Sequence, residues 1–154
     1  MITATLGDHH MDELWPENDP DRKFGAGWAL YWATGNTATS ALLTVMEPDS
    51  KIPMHTDSVE EIILVLEGEI EAWIEGYPPV RLKAGMMAVN PPLVNHTMHN
   101  VGTTQSRVVG FMCSNTVLSE FPEAPLMPPK TQVAGTPPPD LAAQQGYKKQ
   151  ELIS

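Results

Sequence analysis

An all-β domain, either a sandwich or a barrel, is the fold class predicted by three observations. Short runs rich in Val, Ile, Thr, Trp and Tyr recur through the middle of the 154-residue chain. Gly, Pro, Asn and Asp turn signals separate these runs. No segment there sustains a three-to-four-residue apolar period over three turns, and many short strands at regular spacing indicate two packed sheets or one closed one.

Met1 to Lys23 is polar and carries Pro16 and Pro20, so residues 1–23 read as a leader with little regular structure. Residues 24–119 are the expected domain. Its predicted strands are 27–34, 39–47, 62–66, 69–75, 86–90 and 105–113. Alternation is plainest in 69–75, where Ile70, Ala72 and Ile74 share one face and Glu69, Glu71, Trp73 and Glu75 the other. In 27–34, Trp28, Leu30 and Trp32 share a face, with Tyr31 opposite. Arg107 reaches an anion if it points inward. From residue 120 the composition shifts: seven prolines from Pro122 to Pro139 fall within eighteen residues. Proline fixes φ and removes a donor, so 120–154 reads as an extended Pro-rich arm and tail. For residues 121–129 two readings stand: a mobile tail, or an arm packed on the domain or a partner subunit through Phe121, Leu126 and Met127. Beyond Gln132 disorder is expected, ending in a short helix at 140–145.

Composition removes several function classes. Nine Lys and Arg against nineteen Asp and Glu give a formal net charge of −10. Such a chain repels phosphate backbones and anionic lipid, so neither nucleic acid nor a membrane is the expected partner. A content of 42% hydrophobic and 18% charged residues is that of a globular chain long enough for one core. Cys113 has no second cysteine to pair with, which fits a reducing cytoplasm, and it reads as a buried packing residue. The first fifteen residues lack a signal-peptide core, and the longest aliphatic run, 62–66, is far short of a membrane span. A soluble cytoplasmic protein is the expectation.

The chemistry lies in two stretches. Pro53 to Gly68 reads P-M-H-T-D-S-V-E-E-I-I-L-V-L-E-G, and Gly85 to Asn100 reads G-M-M-A-V-N-P-P-L-V-N-H-T-M-H-N. His55 and Asp57, two apart on an extended segment, point to the same side. Glu61 opens the next apolar run. His96 lies in the second stretch with Met98 and Asn100 on its face, whereas His99 has the opposite parity and points outward. Two imidazoles and two carboxylates converge if these strands line one cavity. Imidazole suits Zn, Fe, Ni or Cu and carboxylate suits harder ions, so the mixture fits a borderline divalent metal. By parity Ile63 and Val65 accompany Glu61. Such walls are either packed core or an apolar pocket for an organic substrate.

These stretches resemble the two signature motifs of the cupin superfamily, small jelly-roll (double-stranded β-helix) barrels. The first motif runs Gly, five residues, His-x-His, three or four residues, Glu, six residues, Gly. The second runs Gly, five residues, Pro-x-Gly, two residues, His, three residues, Asn. His55, Glu61 and Gly68 keep the first spacing, and Gly85, Pro91, His96 and Asn100 keep the second. The match spans roughly residues 41–112. Asp49 and Leu93 replace two turn glycines, and Asp57 replaces the second histidine.

The resemblance implies a metal site of His55, Asp57, Glu61 and His96, with iron first and zinc, manganese or nickel as alternatives. Asp57 adds a negative charge that weakens attraction for dianions such as oxalate. If Asp57 does not ligate, it is a general base or an Asx-turn residue, and His55, Glu61 and His96 remain. Asp57 and Glu61 are the candidate catalytic carboxylates. The implied function is a metal-dependent enzyme on a small oxygen-chelating organic substrate, leaning to a dioxygenase. The alternatives are a non-redox Lewis-acid isomerase, lyase or cyclase and a non-catalytic small-molecule-binding barrel. Small cupins commonly dimerise, so a homodimer is implied.

Overall fold

The computed structural model describes residues 1–128, so the disorder expected beyond Gln132 and the helix at 140–145 lie outside the described residues. Described residues form twelve strands and one 3-10 turn, Trp32–Thr34. The strands are β1 (Asp12–Pro16), β2 (Phe24–Leu30), β3 (Ser40–Met46), β4 (Thr56–Asp57), β5 (Glu61–Glu67) and β6 (Glu69–Ile74). They continue with β7 (Val80–Lys83), β8 (Met87–Asn90), β9 (His96–Asn100), β10 (Ser106–Met112), β11 (Ser119–Glu120) and β12 (Leu126–Met127). Seven make one antiparallel sheet in the order β12-β1-β2-β3-β10-β5-β8, and β7-β6-β9 make a second. β11 pairs with β4 at the margin. This is a jelly-roll barrel. Among the described residues no helix is long and apolar enough to cross a membrane.

The inward rows of the two sheets meet in the core. Phe24, Met46, Ile63, Val65, Ile70 and Met98 are all buried in one cluster, each contributing about 1.5–3 kcal/mol by leaving water. Period two holds along β5, where Glu61, Ile63 and Val65 are buried and the residues between them half-buried. Gly68 makes the turn from β5 to β6 with φ 79°, and a Cβ there would lie 2.8 Å from the Gln105 carbonyl oxygen. Asn100 pins the end of β9: its amide donates to the Met46 and Thr104 carbonyls and its oxygen accepts from Gly102 N–H. It serves the fold rather than the site.

Four turn positions that the motifs assign to glycine share one backbone state. Gly68 and Gly85 have φ of 79° and 86°, and Asp49 and Leu93 keep φ of 65° and 62°. The two departures from glycine therefore leave the turns intact and carry the steric cost of a Cβ in the left-handed region.

Several expectations are corrected. The leader contains β1, which pairs with both β2 and β12. The predicted strand 27–34 starts earlier and ends at Leu30, and a bulge between Trp28 and Leu30 shifts its register. Trp28 faces the barrel interior, while Leu30 joins an outer cluster with Ala41, Leu43 and Val109. Trp32 lies in the 3-10 turn, outside any strand. Cys113 is exposed, not buried. Arg107 points outward to Glu67, at 2.9 Å. Of the two readings for residues 121–128, the packed arm holds: Leu126 is buried and β12 extends the large sheet beside β1.

Candidate metal centre

The site begins with one backbone pairing. His55 N–H donates to the His96 carbonyl at 3.1 Å and His96 N–H donates to the His55 carbonyl at 2.9 Å. In an antiparallel bridge two directly opposed residues put their side chains on the same face. The two imidazoles accordingly stand side by side, with centroids 4.2 Å apart. Asp57, two residues on, shares that face, with Oδ2 at 4.0 Å from His55 Nε2 and 3.5 Å from His96 Nε2.

Each ring is oriented from behind. His55 Nδ1 donates to the Pro53 carbonyl at 2.9 Å and His96 Nδ1 to the Val94 carbonyl at 2.8 Å. A carbonyl can only accept, so both Nδ1 atoms carry the proton and both Nε2 lone pairs face Asp57 in the neutral rings. A backbone acceptor behind a ligating imidazole is the usual outer support of a metal site. Asp57 is held twice. Its Oδ1 accepts a short hydrogen bond from the Ser119 hydroxyl, and its carbonyl accepts Leu93 N–H at 2.8 Å. Phe121 stacks on His55 with centroids 4.9 Å apart. Ser119 and the arm that follows it thus contact two of the three cluster residues.

The donor set fits a metal ion. His55, Asp57 and His96 each offer one ligand atom, all within 4.8 Å of one another. A metal about 2.1 Å from each donor holds its ligands roughly 3.0–3.4 Å apart, so a small inward movement closes the set. His96 Nε2 is buried and has no hydrogen-bond partner. Such an orphan is costly, and a cation would satisfy it.

Glu61 is also buried but stands behind this trio, 3.8 Å from His96 Nε2. Asn90 donates to its Oε2 at 2.8 Å. Its other oxygen lies over Gly110, where an added Cβ would be 2.1 Å away. Only a glycine admits the carboxylate in that position.

Burial and charge divide the four groups. Burial pushes His55 down to about 4, while Asp57 pulls the other way. Burial, reinforced by the negative charge of Asp57, raises Glu61 to about 7, against the Asn90 hydrogen bond. Burial alone would raise Asp57, but the facing His96 and His55 and the Ser119 hydroxyl outweigh it and hold the carboxyl below its ordinary value. Burial would lower His96, yet Asp57, the Val94 carbonyl and Glu61 raise it.

All four predicted site residues are therefore buried together, with His55, Asp57 and His96 as the tight cluster. His99 pairs with Asp49 at 2.9 Å on the outer face, as its parity predicts. Sequence reasoning missed Asn90, Gly110 and Ser119 as supports. A glycine inside an otherwise regular strand, such as Gly110, is the one local signal that marks a close approach.

A cavity of about 90 Å³ opens from the cluster between the sheets. Leu14, Phe24, Trp28, Ile52, Met98 and Phe121 supply apolar wall. The predicted core row of Ile63 and Val65 is packed, with no exposure. One barrel therefore holds both filled core and pocket.

Residues 42–112 match the Cupin domain family. No curated protein matches the chain in sequence. A recombinant oxalate oxidase solved with glycolate superposes with a TM-score of 0.61 at 24% identity, over 66% of this chain and 56% of that one. The chain thus spans little more than half the length of that oxidase. A predicted oxalate decarboxylase from Thermotoga maritima gives 0.62 at 18% identity, over 73% of this chain and 98% of that one. The polyketide cyclase RemF from Streptomyces resistomycificus gives 0.60 at 13% identity, over 73% and 78%. At these identities the likeness is one of fold. The motif spacing, the jelly-roll barrel and the family match agree: the chain carries a cupin domain over residues 42–112.

Proposed function

We propose that this protein is a metal-dependent enzyme acting on a small organic substrate that chelates through adjacent oxygen atoms, with dioxygenase chemistry as the first reading. The observation that carries it is the convergence of two oriented imidazoles and Asp57 around the orphaned His96 Nε2, at one end of an apolar-walled cavity. Two histidines and one carboxylate are the set used by non-haem iron oxygenases. Bound iron would supply oxygen activation, and zinc, manganese or nickel would supply Lewis-acid polarisation of a substrate oxygen.

The residues then divide their roles. His55, Asp57 and His96 hold the ion. Glu61, buried 3.8 Å from His96 Nε2 and held by Asn90, is the carboxyl group placed to give or take a proton beside the bound substrate. Asn90 and the open face of Gly110 fix where that proton exchange takes place. Phe121 excludes water from the His55 side. This placement of Glu61 also favours a second reading, a non-redox isomerase, lyase or cyclase, which needs a proton-transfer group and no oxidant.

The test is elemental analysis of protein purified without added metal or a nickel column, beside His96→Ala. Near-stoichiometric iron that disappears in His96→Ala supports the dioxygenase, and oxygen uptake with enediols and phenols follows. Zinc or manganese moves the assignment to Lewis-acid chemistry. A protein that binds no metal after anaerobic reconstitution refutes the enzyme and leaves a binding barrel.

We also propose a homodimer. On the outer face of the large sheet Ala41, Phe111, Ile62 and Val89 stand opposite one another across four strands. The N-terminal Leu6 and Met11 pack against the Ala41 side. Phe111 and Val89 remain exposed towards the terminal strand β8. An exposed apolar row at a sheet edge is a natural pairing surface.

A further inference from the structure

The cavity carries a charge pattern that the metal reading alone does not require. Its ionisable wall residues besides His55 are Asp12, Asp57 and Glu61. No Lys or Arg is among the described residues that line it. The neighbouring cations are engaged elsewhere: Arg107 with Glu67 on the outer face, and Lys23 with Glu13 at 2.8 Å and over the Trp15 ring.

Asp12 reaches this wall through register. It stands opposite Ala26 on β2, which stands opposite Thr44 on β3, and all three line the cavity. Directly opposed residues share a face, so Asp12 is directed inward beside the small Ala26. It lies on β1, four strands from the β5 that carries Glu61. His10 Nε2 contacts its Oδ1 at 2.9 Å from the solvent side.

We infer that the cavity selects a small uncharged or cationic ligand with an apolar body, gripped through a donor group by Asp12, and rejects dicarboxylate dianions. This rests on the metal reading for the chelating end alone. The arithmetic is direct: Asp57 and Asp12 alone offset a divalent ion, so the cavity keeps no net positive charge whichever form Glu61 takes. A dianion would enter with no net positive charge and no guanidinium or ammonium to meet it, which costs far more inside a protein than in water. Size bounds the ligand as well. At roughly 30 Å³ per water, about 90 Å³ holds about three waters, so the enclosed part of the ligand is small.

The test uses three probes on the metal-loaded full chain: catechol, 3,4-dihydroxybenzylamine and oxalate. Oxalate is the smallest, so its exclusion reports charge and not size. Calorimetric titration is expected to show both ring compounds binding at least about tenfold more tightly than oxalate. Asp12→Asn is expected to reduce the affinity of the benzylamine about fivefold or more, leaving that of catechol and the metal content unchanged. Oxalate binding as tightly as catechol overturns the inference, as does an unchanged benzylamine-to-catechol ratio in Asp12→Asn. Metal content is measured on the same samples. A chain that takes up no metal refutes the metal reading by itself, and the order of the three probes on metal-free protein then decides the charge preference.

Discussion

Replacing Gly110 with alanine tests the placement of Glu61 directly. Gly110 lies on β10 between Leu42 of β3 and Ile63 of β5. An added Cβ would be 2.1 Å from Glu61 Oε1, 3.1 Å from Glu61 Cδ and 3.3 Å from Met112 Cε. Non-bonded carbon and oxygen atoms need more than 3 Å, so the carboxylate must retreat by about 1 Å. That retreat stretches the 2.8 Å bond from Asn90 beyond hydrogen-bonding reach. Losing a buried hydrogen bond to an ionisable group costs about 1.5–3 kcal/mol, and overpacking adds about 1–3 kcal/mol. Restricting the unfolded chain returns about 0.4–1 kcal/mol. The expected net loss is about 1.5–5.5 kcal/mol, which at about 2–4 °C per kcal/mol lowers Tm by at least roughly 3 °C for a chain of this size. Chemical and thermal denaturation of metal-free Gly110→Ala read it, and a second variant assigns the cause. In a Glu61→Ala background there is no carboxylate to displace, so Gly110→Ala should cost at least about 1.5 kcal/mol less there. Equal cost in both backgrounds, or a loss under about 0.5 kcal/mol in the wild type, refutes the reasoning.

Three further predictions are independent of that one. Glu61 has its folded pKa raised from 4.5 to about 7, so between these values the folded protein holds a proton that the unfolded chain has released, and rising pH favours unfolding. Metal-free Glu61→Gln should therefore gain stability relative to wild type, on the order of 3 kcal/mol, from pH 4.5 to 7, with a flat difference outside that window; a flat difference within it contradicts the shift. Leu93, 60% exposed with φ 62°, should gain up to about 1 kcal/mol on replacement by glycine, which relieves the left-handed strain, while Leu93→Ala should not. Equal denaturation midpoints for Leu93→Gly and Leu93→Ala would sink that account. Light scattering should give twice the chain mass for the wild type and the monomer mass for Val89→Asp, and a monomeric wild type rules out the proposed interface.

Much of this architecture was legible because alternation is a local property. The strands β3, β5, β6, β8 and β10 each carry four or more residues with β-branched or alternating patterns, and all were predicted within a residue or two at each end. β4, β11 and β12 have two residues apiece, too few to express any propensity. β1 was missed because Pro16 and polar flanks mask it, although Leu14 is buried in the core. The bulge at Ala29 reversed Leu30, since one extra residue inverts parity. The site was legible through motif spacing rather than local pattern: nothing near His55 says that His96, forty-one residues on, is its bridge partner. The supports were hidden for the same reason. Ser119 meets Asp57 and Asn90 meets Glu61 only through strand pairing. Leu93 and Asp49 looked like loop departures, whereas the backbone they adopt is the glycine one.

The pairing of β12 with β1 has a consequence for the order in which the molecule is made. Trp15 and Pro16 meet Met127 and Leu126, about 110 residues apart in the chain, and loops of that length close late and slowly. During synthesis the two histidine-bearing segments leave the ribosome before residues 119–127 do, so they can pair before the arm docks. Asp57 then lacks the Ser119 hydroxyl, and His55 lacks the ring of Phe121. A nascent barrel therefore presents an open cluster until the arm has emerged, at about 5–20 residues per second. Ser119 and Phe121 thus complete the surroundings of a cluster whose two histidines are already paired.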